Sequence, residues 1–116
     1  MTRFPTFRND EINIEELSVN VFKKRVKIDP TKSIDFFCPN EMTSSRVNTI
    51  FSKEPETIEW IDSFENNSIF WDIGANIGLY SLYAALKCDS KVFAFEPAAS
   101  NYFCLCKNIE LNKLDK

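Results

Sequence analysis

The sequence predicts an α/β fold built on a parallel βαβ unit, and three features of its second half indicate this. First, residues 69–73 and 92–95 form short runs dominated by apolar residues, a pattern typical of strands buried on both faces of a parallel sheet. Second, apolar residues at helical spacing follow each run. Third, the order strand, helix, strand, helix requires parallel strands and a right-handed crossover.

The elements before this unit are less strongly patterned. Residues 1–33 are polar and charged, and Val19, Val21, Val26 and Ile28 fit one or two short strands. Residues 34–37 are a better strand candidate, because the turn-forming pair Pro39-Asn40 follows them. We therefore divide the chain into a poorly patterned segment, 1–33, and a segment that carries the fold, 34–116.

Three helices are predicted in the second half. One begins at Pro55 with acidic residues in its first turn, shows an apolar face at Ile58, Ile61 and Phe64, and is expected to end at Asn66-Asn67. The other two follow the two strands; their apolar positions are Leu79, Leu82, Tyr83 and Leu86 in one and Tyr102, Leu105, Cys106 and Ile109 in the other. We assign the aromatic residues Phe93 and Tyr102 to the core.

The length and net charge of the chain indicate which kinds of partner are not expected. A chain of 116 residues with a net charge of −3 accommodates one domain and has no overall attraction to nucleic acid or to an anionic membrane, so neither is expected as a partner. The basic run at 23–27 is interpreted as a solvated strand edge in preference to a phosphate site, since no glycine loop or stacking aromatic interleaves with it. Without a long apolar run or a signal-peptide pattern, the expected location is the cytoplasm.

Cysteine and histidine usage bears on catalysis and metal binding. The four cysteines form no C-x-x-C pair and the chain has no histidine, so no metal site is expected. Free thiols in a reducing compartment explain the cysteines. The commonest general base is also missing, and no catalytic residue is assigned.

The chain's two glycines, Gly74 and Gly78, lie just after the first strand of the βαβ unit. A strand that ends in Asp72, turns through Gly74 and enters a helix near Gly78 lets the backbone approach a ligand closely, with helix N–H groups facing it. This is the arrangement of a nucleotide-cofactor pocket. The alternative is that both glycines serve only a tight turn and helix packing.

Polar residues at the strand ends support such a pocket. In a parallel sheet, ligands bind beyond the carboxyl ends of the strands, where Asp72 and Glu96 lie. The carboxylate of Glu96 can accept hydrogen bonds from the two hydroxyls of a ribose. The alternative is that Glu96 is a surface residue beside a turn with no ligand. Asp72 suits either a polar contact to the cofactor or a structural role, in which it caps the helix or binds loop amides. Asn76 suits either a ligand contact or a turn.

The spacing D-x-G-x-x-x-G at 72–78 differs from the dinucleotide fingerprint G-x-G-x-x-G. With one glycine in the turn, a pyrophosphate is harder to seat. A nucleoside without phosphate, such as S-adenosyl-L-methionine, fits this loop better.

At these residues the sequence resembles the FkbM-type family of S-adenosylmethionine-dependent methyltransferases. The resemblance covers roughly residues 34–114, and its specific part is D-I-G-A-N-x-G followed by F-E-P. The matching stretches are KEPETIEWID (53–62), FWDIGANIGLYSLYA (70–84), VFAFEP (92–97) and NIELN (108–112).

The resemblance implies a Rossmann-like class I methyltransferase fold, with a seven-stranded sheet, and methyl transfer to a hydroxyl oxygen of a small molecule or glycan. It places Glu96 on the ribose of the cofactor. The residues that would line its methionine side are Asp72, Gly74, Ala75, Asn76 and Gly78.

The chain holds only the first two strands that the resemblance implies, so we expect the cofactor-binding, N-terminal part of a methyltransferase domain from which the later strands are missing. Such a sheet has an open edge, which favours self-association. Two rival hypotheses stand beside this one: a nicotinamide-dependent dehydrogenase that uses Glu96 on its ribose, and a noncatalytic remnant or interaction module. The methyl acceptor is not predicted.

Overall fold

The structure is a computed structural model, and it describes residues 22–115. It has the α/β class that the sequence predicts; the predicted strand positions Val19 and Val21 lie outside the described residues. In chain order the elements are β1 (Lys23–Lys27), β2 (Ser33–Phe37), α1 (Glu41–Asn48), α2 (Pro55–Asp62), β3 (Ile69–Ile73), α3 (Leu79–Cys88), β4 (Lys91–Phe95) and α4 (Ala99–Leu111).

The described strands form two separate pairs. β3 and β4 are parallel, with Trp71 opposite Phe93, and α3 connects them, so the predicted βαβ unit is confirmed. This unit is compatible with part of a Rossmann-like fold. β1 and β2 form an antiparallel hairpin, with Arg25 opposite Asp35.

The basic run of the sequence is strand β1. The Arg25 guanidinium donates to Asp35 at 2.8 Å, and the Lys23 ammonium lies 3.6 Å from the same carboxylate. These two cations hold the pKa of Asp35 below its ordinary value. The hairpin joins the poorly patterned first segment to the second, because β1 lies within residues 1–33 and β2 runs from Ser33 into the second segment.

Helix α1 is an element that the sequence analysis missed. Asn40 caps it, since its side-chain oxygen accepts the backbone N–H of Thr43 at 2.9 Å while the Thr43 hydroxyl accepts the backbone N–H of Asn40 at 3.3 Å. Such a reciprocal pair satisfies two backbone donors that have no partner within the helix. The helix is mostly polar, and it buries only Thr43 and Val47.

Helix α2 begins at Pro55 as predicted, but it ends at Asp62, before the asparagine pair expected to end it. The last turn closes early because the backbone N–H groups of Ser63 and Phe64 bind the carbonyls of Trp60 and Ile61 at 3.0 and 2.9 Å. The Ser63 hydroxyl also donates to the carbonyl of Trp60.

The core lies between the hairpin, the helices and one face of the β3–β4 pair. Its fully buried apolar side chains come from β2, α1, α2, the loop after β3, α3 and α4. The largest of them are Ile34, Phe36, Val47, Ile61, Ile77, Leu82 and Leu105. All four cysteines are free thiols, and Cys88 and Cys104 are buried. Within residues 22–115, no helix has the length and apolar character needed to cross a membrane.

The prediction that β3 is buried on both faces is wrong for the described residues. Phe70 points into the core and is 8% exposed, whereas Trp71 is 67% exposed and Ile69 and Ile73 are similarly open. The same prediction is wrong for β4: Phe93, predicted as core, is 42% exposed and Phe95 is 48% exposed on the same face. The helices of the described chain cover only one side of the pair, so the alternation of a strand decides which residues they bury.

Tyr102, the other aromatic residue assigned to the core, is 53% exposed. It lies on α4, and the buried apolar residues of that helix are Cys104 and Leu105. The helix predicted from the apolar spacing is therefore present, but Tyr102 lies at the edge of its buried face.

Two neighbouring substitutions test which face of β3 is covered. Phe70 packs edge-on against Trp60 and Phe64 at centroid distances of 5.8 and 5.3 Å, so Phe70→Ala is expected to lower the free energy of unfolding by about 3–5 kcal/mol. Trp71→Ala removes an exposed side chain, and we expect a loss below about 1 kcal/mol. Urea denaturation followed by circular dichroism measures both; equal losses would show that the Trp71 face is also packed.

Candidate functional site

The loop between β3 and α3 is anchored to the end of β4. The backbone N–H groups of Gly74 and Ala75 both donate to the carbonyl of Phe95, at 2.8 and 2.9 Å. The N–H of Gly78 then returns to the carbonyl of Ala75 at 2.9 Å. The loop is therefore held as a compact turn at the carboxyl ends of the two parallel strands.

Glu96 joins this loop to the segment after β4. Its Oε1 accepts the backbone N–H of Asn76 at 2.8 Å, and its Oε2 accepts the backbone N–H of Ala98 at 2.9 Å. These two hydrogen bonds, first that from Ala98, lower the pKa of Glu96. The Asn101 side chain contributes to the same lowering. An ionised carboxylate has about four acceptor positions, so Glu96 can still accept a further donor.

The two glycines have different surroundings. Both have positive φ, +77° at Gly74 and +95° at Gly78, a conformation that favours glycine. A Cβ added at Gly74 would have no atom within 4 Å, whereas one at Gly78 would lie 2.6 Å from Leu105 Cδ1 and 2.9 Å from Leu82 Cδ1. Gly74 thus faces open space, and Gly78 is a buried packing glycine on which α3 meets α4.

Asp72 connects β3 to α3. Its Oδ2 accepts a hydrogen bond from the hydroxyl of Ser81 at 2.6 Å, and Ser81 is buried in α3. Neither a helix cap nor a loop amide is its partner among the described residues, so this contact differs from the capping role considered from the sequence. A direct contact between Asp72 and a cofactor stays a prediction.

Arg46 is a site residue that the sequence analysis missed. It lies on α1, and its Nη1 donates to the side-chain oxygen of Asn76 at 2.6 Å and to that of Asn101 at 3.2 Å. Its charge also helps to lower the pKa of Glu96. The sequence signal for it was the pair Asn40 and Thr43, which predicts a capped helix and would have placed Arg46 in its last turn.

The structure brings most of the predicted site residues together. Asp72, Gly74, Ala75, Asn76 and Glu96 lie at or just beyond the carboxyl ends of β3 and β4, and Gly78 supports the loop from the core side. A cavity of about 200 Å³ adjoins the loop at Gly74, Ala75 and Asn76. Within the described part of the chain, no group of three or more Cys, Asp or Glu side chains is arranged to hold a metal ion.

A matched pair of substitutions tests the different roles of the glycines. Gly78→Ala combines an unfavourable φ, about 1–2 kcal/mol, with overpacking against Leu105 and Leu82, about 1–3 kcal/mol. Gly74→Ala has only the unfavourable φ, because a Cβ at this position meets no other atom. We expect Gly78→Ala to lower the free energy of unfolding by the larger amount in urea titrations, and a larger loss for Gly74→Ala would contradict the packing.

Comparisons with known proteins add one finding. Over 53 residues the chain is 45% identical to a protein named methyltransferase sdnD from Sordaria araneosa. The aligned residues are 45% of this chain and 20% of that protein, so the match spans about a fifth of the relative's length. No protein-family model matches the chain, and no solved structure matches it. The chain is thus similar over part of its length to a methyltransferase, and the FkbM-type resemblance stays a prediction.

Proposed function

We propose that these residues are the cofactor-binding part of an S-adenosylmethionine-dependent methyltransferase of the FkbM type. The proposal rests mainly on the hydrogen bond from the Asn76 backbone N–H to Glu96, which joins the loop after β3 to the residue that follows β4. The open space beside Gly74 lies in the same loop. The partial similarity to a named methyltransferase supports the same reaction class.

The residues present fit an adenosine cofactor. The empty space beside Gly74 lets a ligand approach the backbone of the loop, which a side chain at this position would prevent. Glu96 lies at the end of the second strand with acceptor capacity left beyond its two backbone hydrogen bonds, and a ribose offers hydroxyl donors. The lowered pKa of Glu96 keeps it an acceptor at neutral pH.

The chemistry then follows from positioning. When bound, S-adenosylmethionine supplies an electrophilic methyl group on a sulfonium. The loop from Gly74 to Asn76 and the carboxylate of Glu96 would hold the cofactor's two ends at the edge of the sheet, and the acceptor oxygen has to be brought into line with the methyl group. In our proposal the acceptor is a hydroxyl of a small molecule or glycan.

No described residue is assigned as a general base. Asp72 already accepts a hydrogen bond from Ser81. The pKa values of Tyr80 and Tyr83 are raised well above the ordinary tyrosine value, mainly by burial and then by the carboxylates that their hydroxyls contact. Both tyrosines therefore stay neutral at physiological pH. The proposal accordingly covers cofactor binding by these residues and leaves acceptor activation to residues beyond this site.

Glu96→Gln tests the proposal directly. The variant keeps the size of the side chain but removes its charge, so we expect S-adenosylhomocysteine to bind the variant about tenfold to a hundredfold more weakly than the wild-type chain. Isothermal titration calorimetry measures this, and circular dichroism checks that the variant is folded.

Glu65→Gln is the matched control. Glu65 is exposed and precedes β3, whereas Glu96 follows the parallel strand β4, so the two residues lie at opposite ends of the strand pair. The substitution of Glu65 is therefore expected to leave binding unchanged. A folded wild-type chain that gives no saturable heat with S-adenosylhomocysteine, or a Glu96→Gln variant that binds as tightly as wild type, would contradict the proposed site.

A further inference from the structure

Arg46 binds two neutral amides and, in the described chain, no carboxylate. Its Nη1 donates to the side-chain oxygens of Asn76 and Asn101, at 2.6 and 3.2 Å. Within residues 22–115, no carboxylate oxygen lies within 4.0 Å of its guanidinium nitrogens. A guanidinium makes its strongest hydrogen bonds to carboxylates, so a surface ion pair does not explain this arrangement.

Both amides act on Glu96. The backbone N–H of Asn76 donates to Oε1 of Glu96 at 2.8 Å. The side chain of Asn101 contributes to the lowered pKa of Glu96, as does the charge of Arg46. One guanidinium therefore reaches the same carboxylate by two routes, through the loop after β3 and through α4.

The backbone conformation of Asn76 makes the first route depend on its side chain. Asn76 has a φ of +60°, in the left-handed region that asparagine tolerates better than most residues. The direction of its N–H toward Glu96 depends on this conformation, and the hydrogen bond from Arg46 fixes the side chain of the same residue. Loss of Arg46 would leave the bonds from the start of the loop to the carbonyl of Phe95, so only the Asn76 end of the loop would be released.

Helix α1 presents Arg46 from a fixed position. The next residue, Val47, is 1% exposed in the core, and Asn40 caps the other end of the helix. Because Arg46 acts on Glu96 through amides, the carboxylate keeps acceptor capacity that a direct ion pair would use.

We infer that Arg46 is a positioning residue: it orients the carboxylate of Glu96 through the two asparagines and makes no contact with the ligand. The ligand role of Glu96 rests on the proposed function, whereas the orientation of its carboxylate does not. Helix α1, which lies outside the βαβ unit, is thereby part of the cofactor site.

The ligand-free chain allows the first test. Arg46→Met removes the charge and the donors of the guanidinium but keeps an unbranched side chain. We expect the pKa of Glu96, followed by ¹³C NMR of its side-chain carboxyl, to be higher in Arg46→Met than in the wild-type chain, because its ionised form loses support. Arg25→Met is the matched control, since it removes an arginine that binds Asp35 on the hairpin, and it should leave the pKa of Glu96 unchanged.

Ligand binding provides the second test. S-adenosylhomocysteine and 5′-methylthioadenosine share the ribose, and only the first carries an amino-acid group. A residue that acts through Glu96 affects both ligands alike, so Arg46→Met is expected to weaken both about threefold to tenfold in calorimetric titrations. Asn101→Ala removes one of the two routes and should also weaken both ligands in equal proportion, whereas Arg25→Met should change neither affinity.

The results distinguish the positioning role from the proposed function. A raised pKa of Glu96 with an equal loss of both ligands in Arg46→Met supports the inference. A folded Arg46→Met chain with the wild-type pKa of Glu96, or with wild-type affinity for both ligands, would overturn it. A loss confined to S-adenosylhomocysteine would also overturn it, because Arg46 would then contact the ligand itself. A folded wild-type chain that binds neither ligand would overturn the proposed function, and the titration of Glu96 alone would then decide whether Arg46 orients the carboxylate.

Discussion

The position of the candidate site depends on one buried side chain, Asn108 of α4. It has no exposed surface; its Oδ1 accepts the backbone N–H of Phe37 and its Nδ2 donates to the backbone carbonyl of Ile77, both at 2.7 Å. An unpaired buried backbone group costs about 1–3 kcal/mol, so this amide satisfies two groups that would otherwise oppose folding. It thereby joins the hairpin, the loop after β3 and α4 at a single point.

One turn later, Asn112 extends the same arrangement: its side chain accepts the N–H of Asp35 at 2.9 Å and donates to the carbonyl of Asp35 at 2.8 Å. Asn108 in α4 and Asn112 at its C-cap thus bind the backbone of Phe37 and Asp35, two residues on the same strand, β2. With the loop held from the core side by Asn108 and by the packing of Gly78 on Leu105, Glu96 holds it from the other side through the N–H of Asn76.

Much of the fold was predictable because periodicity marks it: the apolar runs and the helical spacing after Gly78 gave the βαβ unit. The sequence did not show which faces of the sheet are covered. The apolar run around Trp71 is compatible both with a strand covered by helices on one face and with a strand covered on both. Helix α1 was missed because it buries only two residues. Asn108 and Asn112 entered the sequence analysis only through a family resemblance; their side-chain bonds to β2 depend on tertiary contacts that no local pattern contains. The predicted site residues lie together because the carboxyl ends of the parallel strands β3 and β4 are neighbours. Arg46 was missed because it lies on α1, a helix that was not predicted.

The two glycines of the chain allow a direct test of whether a cofactor binds at the loop after β3. With ¹⁵N-glycine labelling, the amide spectrum has two signals, from Gly74 at the open turn and from Gly78 in the core. Their assignment follows from Gly74→Ala, which removes one signal. On titration with S-adenosylhomocysteine, we expect a saturable shift of the Gly74 signal that exceeds the shift of Gly78. A folded chain in which neither signal moves, or in which Gly78 alone responds, would contradict a cofactor site at this loop.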